Sequence, residues 1–511
     1  MLAIALLAAA SCAVPVAQDF WAPAGHPQLI DGHGLCNQIL LKEGSKPFIA
    51  FQDGTTTKGG ATVLRLVGPS WLPVGEPGKA SRGRAWYNRM ALDGQGGLYC
   101  VSRDYGLDGK AGVRRFDEGL GAWQDVGEAA TPDEAHFTDI AISPLTDEPW
   151  IVFADRSTTP VDRIRVRRFT QGAWEYVGAA PLSVGEGRYC TIAFGPAGAP
   201  HVALSDVGLG QALSVFRWNG TSWAPVGPPG FTGQQSVCPQ IAFDPAGELH
   251  VAWMLHHFDV FVEAFQGGQW NRLGGGAALP GQVPDLDSEI WRLWLPFDFD
   301  SQGRPTVAYQ SRDEGARLMV RRLEVNGWQT LGGDFATAGR SDYPALAIGS
   351  DDQAWILYRD GVIGSPPSAG RLVQDPTTYC PSAKTQDGCQ PDTVASGNAS
   401  LGGGFLRLDV TRVTPGGIGV LVVGTSTDFQ PLPSGLLCVG APALRLHPQG
   451  TGSSPTPCGG TLSHTFTPAE LSALLGGVPG SVFAQWWFRG PNASSQTSSW
   501  LASAMAFSVA P

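Results

Sequence analysis

The sequence predicts an all-β chain: a seven-bladed β-propeller closed by an N-terminal strand, followed by a small β-sandwich. Three observations carry this. The motif Trp-x-x-x-Gly recurs seven times, beginning at Trp21, Trp71, Trp123, Trp174, Trp223, Trp270 and Trp328. Its spacings are 50, 52, 51, 49, 47 and 58 residues, a period that belongs to repeat architectures. Between the motifs, short apolar strands alternate with tight Gly- and Pro-containing turns. The composition agrees: 68 Gly and 40 Pro among 511 residues, with only 15% charged, favour many short strands over long helices. Seventeen Trp and 23 Phe supply ample core, which argues against disorder.

The elements follow in order. Residues 1–17 carry no charge and run Met-Leu-Ala-Ile-Ala-Leu-Leu-Ala-Ala-Ala, an apolar core of signal-peptide length and too short to span a bilayer. Cleavage near Ala13 or Ala17 fits the small-residue rule, although the usual basic segment is missing. The stretch ending at Cys12 weakly resembles a lipoprotein signal, but Ala9 stands where such signals prefer Leu. No other apolar run is long enough for a membrane helix. The expected location is therefore secreted or cell-surface, with lipid anchoring through Cys12 as the lesser alternative.

Residues 18–376 form the propeller. A typical unit has a first strand such as Gln240–Phe243, a turn (Asp244-Pro-Ala-Gly247), and a second strand, Leu249–Trp253. A third strand, such as Ile164–Phe169 or Leu213–Trp218, then leads into the Trp motif. Third strands alternate apolar and polar residues, as half-buried strands do. The turns supply the positive φ that tight hairpins need. The chain begins with a Trp motif that has no strands before it. It ends the repeat with three strands, 342–349, 354–359 and 370–374, that have no Trp motif after them. The N-terminal segment is thus expected to supply the outer strand of the last blade, closing the ring and removing two free edges. The Trp side chains are expected to pack blade on blade.

From Thr377 the repeat stops, and residues 377–511 hold five basic and five acidic side chains. Strands are expected at Gly419–Val423, Leu436–Val439, Val482–Phe488 and Ala504–Val509. In a further strand Leu406, Leu408 and Val410 face one way, and Arg407, Asp409 and Thr411 the other. A short helix is expected at 468–475: Thr467 caps it, Pro468 stands first and Glu470 completes a capping box. Of the nine cysteines, Cys380, Cys389, Cys438 and Cys458 fall here and suggest disulfides. Close spacing favours Cys380–Cys389 with Cys438–Cys458. Cys36, Cys100, Cys190 and Cys238 are either paired or small buried hydrophobes. None has zinc-type spacing.

Tyr379-Cys380, Gly388-Cys389-Gln-Pro391, Leu437-Cys438-Val439 and Gln485-Trp-Trp-Phe-Arg489 resemble a C-terminal module that recurs on secreted bacterial proteins. Gly490 stands where that module often has an acidic residue. The resemblance implies secretion and surface attachment or sorting. By repeat length and the Trp-x-x-x-Gly blade end, the propeller resembles secreted bacterial propellers of the lectin-like and kelch-like kind, which implies a fold and no particular ligand.

Function is sought at the channel mouth, where the first strands begin. That placement rests on analogy between propellers. Aromatics gather there (Trp86, Tyr87, Phe137, Tyr189, Trp291, Trp294 and Tyr343), with Asn37, Asn88, Arg89, His136, Asp139, Gln240, Arg292 and Asp342 nearby. Aromatic faces beside Asp, Asn and Arg suit a carbohydrate. The competing reading is that the rings plug the channel. The expected ligand-binding set is Trp86, Tyr87, Arg89, Asp139, Tyr189, Gln240, Trp291 and Tyr343. If the chain is an enzyme, His136 with Asp139, assisted by Arg89, forms the acid/base group of a polysaccharide lyase or glycoside hydrolase. The second strands end in Asp53, Asp104, Asp155, Asp206, Asp313 and Asp360, expected to accept backbone N–H bonds; a carboxylate ring is the alternative. His256-His257 break that rule, but neighbours on a strand face opposite ways, which disfavours a metal site. No Asp-x-Asp-x-Asp-Gly loop, sialidase-type Ser-x-Asp-x-Gly-x-Thr-Trp turn or Gly-x-Ser-x-Gly elbow is present. No cofactor is implied. The net charge of −11 argues against nucleic acid. The expected partner is an extracellular glycan or a surface protein. The expected role is a binding protein, with a carbohydrate-active enzyme and a structural envelope protein as alternatives.

Overall fold

The structure, a computed structural model, describes residues 20–24, 29–277 and 295–509. The last two ranges have short interruptions, among them 256–258, 312–315, 333–335, 362–365, 374–376 and 492–498. The proposed signal segment, Cys12, Trp291, Arg292, Trp294, His256, His257 and Asp313 lie outside the described residues, as do the side chains of Cys36 and Asn37.

The repeated motif has a physical basis. The indole N–H of six of the seven motif Trp residues donates to the carbonyl just before the motif Gly of the preceding repeat, and only that of Trp328 makes no such bond. Trp123 reaches Val74 at 2.8 Å, Trp174 reaches Val126 at 2.9 Å, Trp223 reaches Val177 at 2.8 Å and Trp270 reaches Val226 at 3.0 Å. The Gly is needed twice over. Gly178 has φ +91°, and a Cβ there would lie 2.9 Å from Cδ1 of Trp223. Positive φ and the close indole both exclude a side chain.

These contacts link seven four-stranded antiparallel sheets. Their first strands are Gly34–Lys42, Ala85–Leu92, Ala135–Ile142, Gly187–Phe194, Ser236–Phe243, Phe297–Phe299 and Ser341–Ile348, numbered here sheets 1 to 7. Each first strand lies against the first strand of the next sheet, and that of sheet 7 lies against that of sheet 1. An apolar cluster fills every space between consecutive sheets. Between sheets 7 and 1 it contains Ile39, Phe51, Trp355 and Leu357. Second strands such as Pro149–Asp155 are buried throughout, because a sheet covers them on both faces. The arrangement is β-propeller-like.

The last sheet holds the expected closure. Phe20–Pro23 pairs with Pro367–Val373, outermost in a sheet completed by Ala354–Asp360 and Ser341–Ile348. Trp21 donates its indole N–H to Leu331 O at 2.9 Å across 310 residues. It repeats the bond that five of the other motifs make across about 50.

Contact density divides the chain into a unit of Trp21–Leu372 and a second containing Val373–Pro511. In the second, Thr377–Cys380, Ser499–Val509, Gly480–Arg489, Ile418–Gly424 and Ala443–Arg445 line up in one antiparallel sheet. Asp392–Asn398, Phe405–Val413 and Gly460–Phe466 form another. Leu406, Leu408 and Val410 from one sheet and Trp486, Phe488 and Phe507 from the other share a single core. The helix spans Pro468–Leu475, and the capping box is present: Thr467 N donates to Glu470 Oε2 at 2.8 Å.

The disulfides correct the spacing argument. They join Cys380 to Cys438 and Cys389 to Cys458, which are 58 and 69 residues apart. Proximity along the chain misled because Cys380 sits in a strand and Cys389 after a turn, each facing a different distant segment. Cys100, Cys190 and Cys238 take part in no disulfide among the described residues and are buried, as small hydrophobes.

Candidate functional site

The mouth of the ring is shaped by one backbone device. In six sheets the ladder between first and second strands slips at the same point, for instance between Trp86 and Arg89, His136 and Asp139, and Arg188 and Thr191. Each slip is a β-bulge, which kinks the strand and re-aims a side chain. The bulged residues Tyr87, Phe137, Tyr189, Cys238 and Tyr343 have φ of 55°, 52°, 47°, 52° and 51°. Left-handed backbone at a bulky residue costs on the order of 1–3 kcal/mol and persists only where surroundings impose it. Here the surroundings are the other rings. The Tyr87 and Phe137 centroids lie 5.4 Å apart, and those of Phe137 and Tyr189 lie 4.7 Å apart. Tyr87 and Tyr343 are 5% and 2% exposed, so their ring faces are taken up by packing. Burial pushes the Tyr189 phenol well above its usual range.

Beyond the rings, toward the turn end of the first strands, lies a polar cavity of about 220 Å³. Gln38, Arg89, Asp139, Thr191 and Gln240 line it, mostly two residues after the bulged position. Asp139 accepts from Thr191 Oγ1 at 2.8 Å and Ile192 N at 3.0 Å, and Arg89 Nε lies 3.6 Å from its other oxygen. Gln38 exchanges hydrogen bonds with the backbone of Met90. Asp298 accepts from Ile348 N at 2.8 Å. These side chains reach from one sheet's first strand to the backbone of the next and tie neighbouring sheets together. Gln38 and Thr191 belong to this group and were not expected. Their signal was positional, because they align with Arg89, Asp139 and Gln240.

His136 and Asp139, expected as an acid/base pair, contact different partners. His136 precedes the bulge and Asp139 follows it, so the extra residue between them sends them to different partners. His136 Nδ1 lies 3.7 Å from Asp162 Oδ2. Burial, helped by the Arg103 and Arg156 cations, holds its imidazole below the usual pKa. Both Asp139 oxygens are engaged elsewhere, as described.

The strand-start surface of sheets 2 and 3 is more open. Trp86 is half-buried, and the Arg84 guanidinium carbon stands 5.1 Å from its ring centre. Across the ladder from Trp86, Arg103 lies 5.1 Å from the ring of Tyr105, which is 47% exposed. Arg103 and Arg156 both bond Glu134, at 3.2 and 3.0 Å.

The second-strand aspartates behave as loop acceptors. Asp104 takes the amides of Arg82, Gly83 and Gly106 at 2.6, 2.8 and 2.8 Å, and Asp206 those of Val184, Gly185 and Gly208. Asp53, Asp104, Asp155 and Asp206 are all at most 1% exposed, so they present no carboxylate ring. Asp244, Glu248 and His250 place one ligand atom each within 4.8 Å of one another. Packing accounts for the histidine. Nδ1 of His250 faces Glu248 O at 3.0 Å, and its ring stands edge-on to Phe299. His201 in sheet 4 repeats both contacts with Ala199 and Phe243.

No protein-family model and no curated protein matches the chain. Solved structures do. A fucose-specific lectin from Aleuria aurantia is 14% identical, covering 61% of this chain and 99% of its own, with TM-score 0.38. A copper-bound fungal alcohol oxidase is 12% identical, covering 96% and 98%, with TM-score 0.44. A protein of unknown function from Dyadobacter fermentans is 13% identical, covering 70% and 98%, with TM-score 0.40. No residue role follows from likenesses of this size.

Proposed function

We propose that this chain is an exported or surface-attached binding protein, a seven-bladed propeller whose mouth engages a glycan or a protein ligand. The observation that carries the reading is the strand-start surface of sheets 2 and 3. There the half-buried Trp86 ring lies under Arg84, beside Arg103 and the exposed Tyr105. An aromatic face with guanidinium donors and the Glu134 acceptor suits sugar hydroxyls and C–H faces. Arg89, Asp139 and Gln240, below the aromatic rings, hold the mouth in shape. Tyr87, Tyr189 and Tyr343 act as its floor.

The C-terminal unit is proposed to be a sandwich that attaches or sorts the protein. Its two disulfides fit an oxidising, extracellular setting. No helix among the described residues is long and apolar enough to cross a membrane. A structural envelope role has one observation in its favour: the Tyr87, Phe137 and Tyr189 rings of neighbouring sheets pack on one another.

A glycan-array screen of the full chain tests the reading. Binding that is lost in Trp86→Ala supports it. A folded sample that binds no glycan and captures no surface protein refutes it and leaves the structural role.

A further inference from the structure

A row of arginines runs around the propeller-like unit. A residue near the start of each second strand pairs across the ladder with a third-strand residue. Those pairs are Phe48–Arg65, Tyr99–Arg115, Trp150–Arg168, His201–Arg217, Thr306–Arg322 and Trp355–Arg371. Only sheet 5 differs, with Ala264 opposite His250.

Two kinds of carboxylate neutralise three of these arginines. One stands just after the first strand: Asp93 bonds Arg115 at 2.9 Å, and Asp300 lies 3.5 Å from Arg322. The other stands across the ladder on the outer strand, where Glu175 lies 4.0 Å from Arg168. In sheet 4 both are missing from the sequence. Gly195 stands at the first position, and Ala224 pairs across from Arg217 at the second. Arg217 is exposed, and no carboxylate among the described residues lies within ion-pair distance of it.

The same two replacements by small residues leave space. A cleft of about 780 Å³ opens between sheets 4 and 5, within the size range of small-ligand sites. Phe243, Phe265, Pro196 and Pro225 give it apolar walls, and Arg217 and Glu248 supply a donor fork and an acceptor.

We propose that this cleft binds a neutral pyranose saccharide, independently of the mouth. The guanidinium donates paired hydrogen bonds to adjacent hydroxyl oxygens. Glu248 accepts from a hydroxyl, and the aromatic walls take the C–H face of the ring. Opposite charges on Arg217 and Glu248 leave the site without net charge, which favours a neutral sugar over an acidic one.

The test titrates the full chain with methyl glucoside, methyl galactoside, methyl mannoside, methyl xyloside and glucuronate, read by saturation-transfer NMR and calorimetry. At least one neutral glycoside binds. Arg217→Ala weakens that binding at least tenfold. Ala224→Glu does the same, because it restores the carboxylate that Glu175 supplies to Arg168. Circular dichroism confirms that each variant is folded, and either variant alone suffices for the reading. The proposal is overturned if no neutral glycoside binds, if only glucuronate binds, or if both variants bind as the parent does. It is also overturned if Trp86→Ala abolishes binding and neither cleft variant weakens it, which assigns the saccharide to the mouth instead.

Discussion

Replacing Trp21 by Ala removes the one indole that closes the ring of sheets. The side chain donates to Leu331 O at 2.9 Å, and Gly332 is so close that a Cβ there would sit 2.5 Å from the indole. Truncating a buried Trp costs about 3–5 kcal/mol, and Trp21 is only half-buried, which sets its packing loss near the lower end. The lost hydrogen bond adds about 1 kcal/mol, because part of its strength is regained from water. The expected total is about 3–4 kcal/mol. Trp270→Ala is the matched control. It is also half-buried and makes the same bond, to Val226 at 3.0 Å, but across 44 residues. Urea unfolding followed by circular dichroism compares the two midpoints, and hydrogen exchange by mass spectrometry locates the change. Trp21→Ala should lower the midpoint as much as Trp270→Ala does. It should also raise exchange in Phe20–Pro23 and Pro367–Val373. An unchanged midpoint for Trp21→Ala, with a lowered one for Trp270→Ala, refutes closure by the N-terminal strand.

Other expectations follow from single contacts. Gly127→Ala should destabilise by about 2 kcal/mol or more in the same assay, since φ is +72° and the new Cβ would meet Phe169 at 2.5 Å. Asp104→Ala takes the acceptor from three amides, of which only that of Gly83 is fully buried, and should cost roughly 2 kcal/mol, with faster exchange at Arg82, Gly83 and Gly106. Burial holds the His201 imidazole down at about 4, against the usual 6.5. Its folded pKa lies below the unfolded one, so the neutral form is favoured by folding. That stability is complete above pH 6.5 and is lost as pH falls toward 4, amounting to about 3 kcal/mol. A His201→Phe variant should show a shallower acid limb in thermal melts, and an identical limb would count against this reading. Trypsin cleavage at Lys384, Arg407, Arg412 and Arg445 separates all four C-terminal disulfide cysteines. Non-reducing mass spectrometry should then find Cys380 linked to Cys438 and Cys389 to Cys458.

Much of the architecture was legible because it is written locally and repeated. The Trp-x-x-x-Gly period, the Gly- and Pro-bearing turns and the Thr467–Glu470 capping box each act over a few residues, and each reappears where expected. The aspartates ending the second strands were legible for the same reason. An Asx-type acceptor bonds its own loop, as Asp206 does with Gly208. The site was less legible. His136 and Asp139 look like a spaced pair until a bulge puts an extra residue between them. Aromatics that read as sugar platforms prove, at Tyr87 and Tyr343, to be buried by left-handed backbone that no local rule predicts for tyrosine.

By itself, then, the sequence determined the period, the turns and the outer-strand closure at Trp21. These depend on residues whose chemistry acts on near neighbours or recurs in every repeat. Only the tertiary structure decided the disulfide partners and the packing of the rings on one another. It alone showed that Gly195 and Ala224 leave Arg217 without a carboxylate. Each of those outcomes depends on which distant segments face each other. That is set by sheet register and bulge position, and neither is encoded in any single stretch of chain.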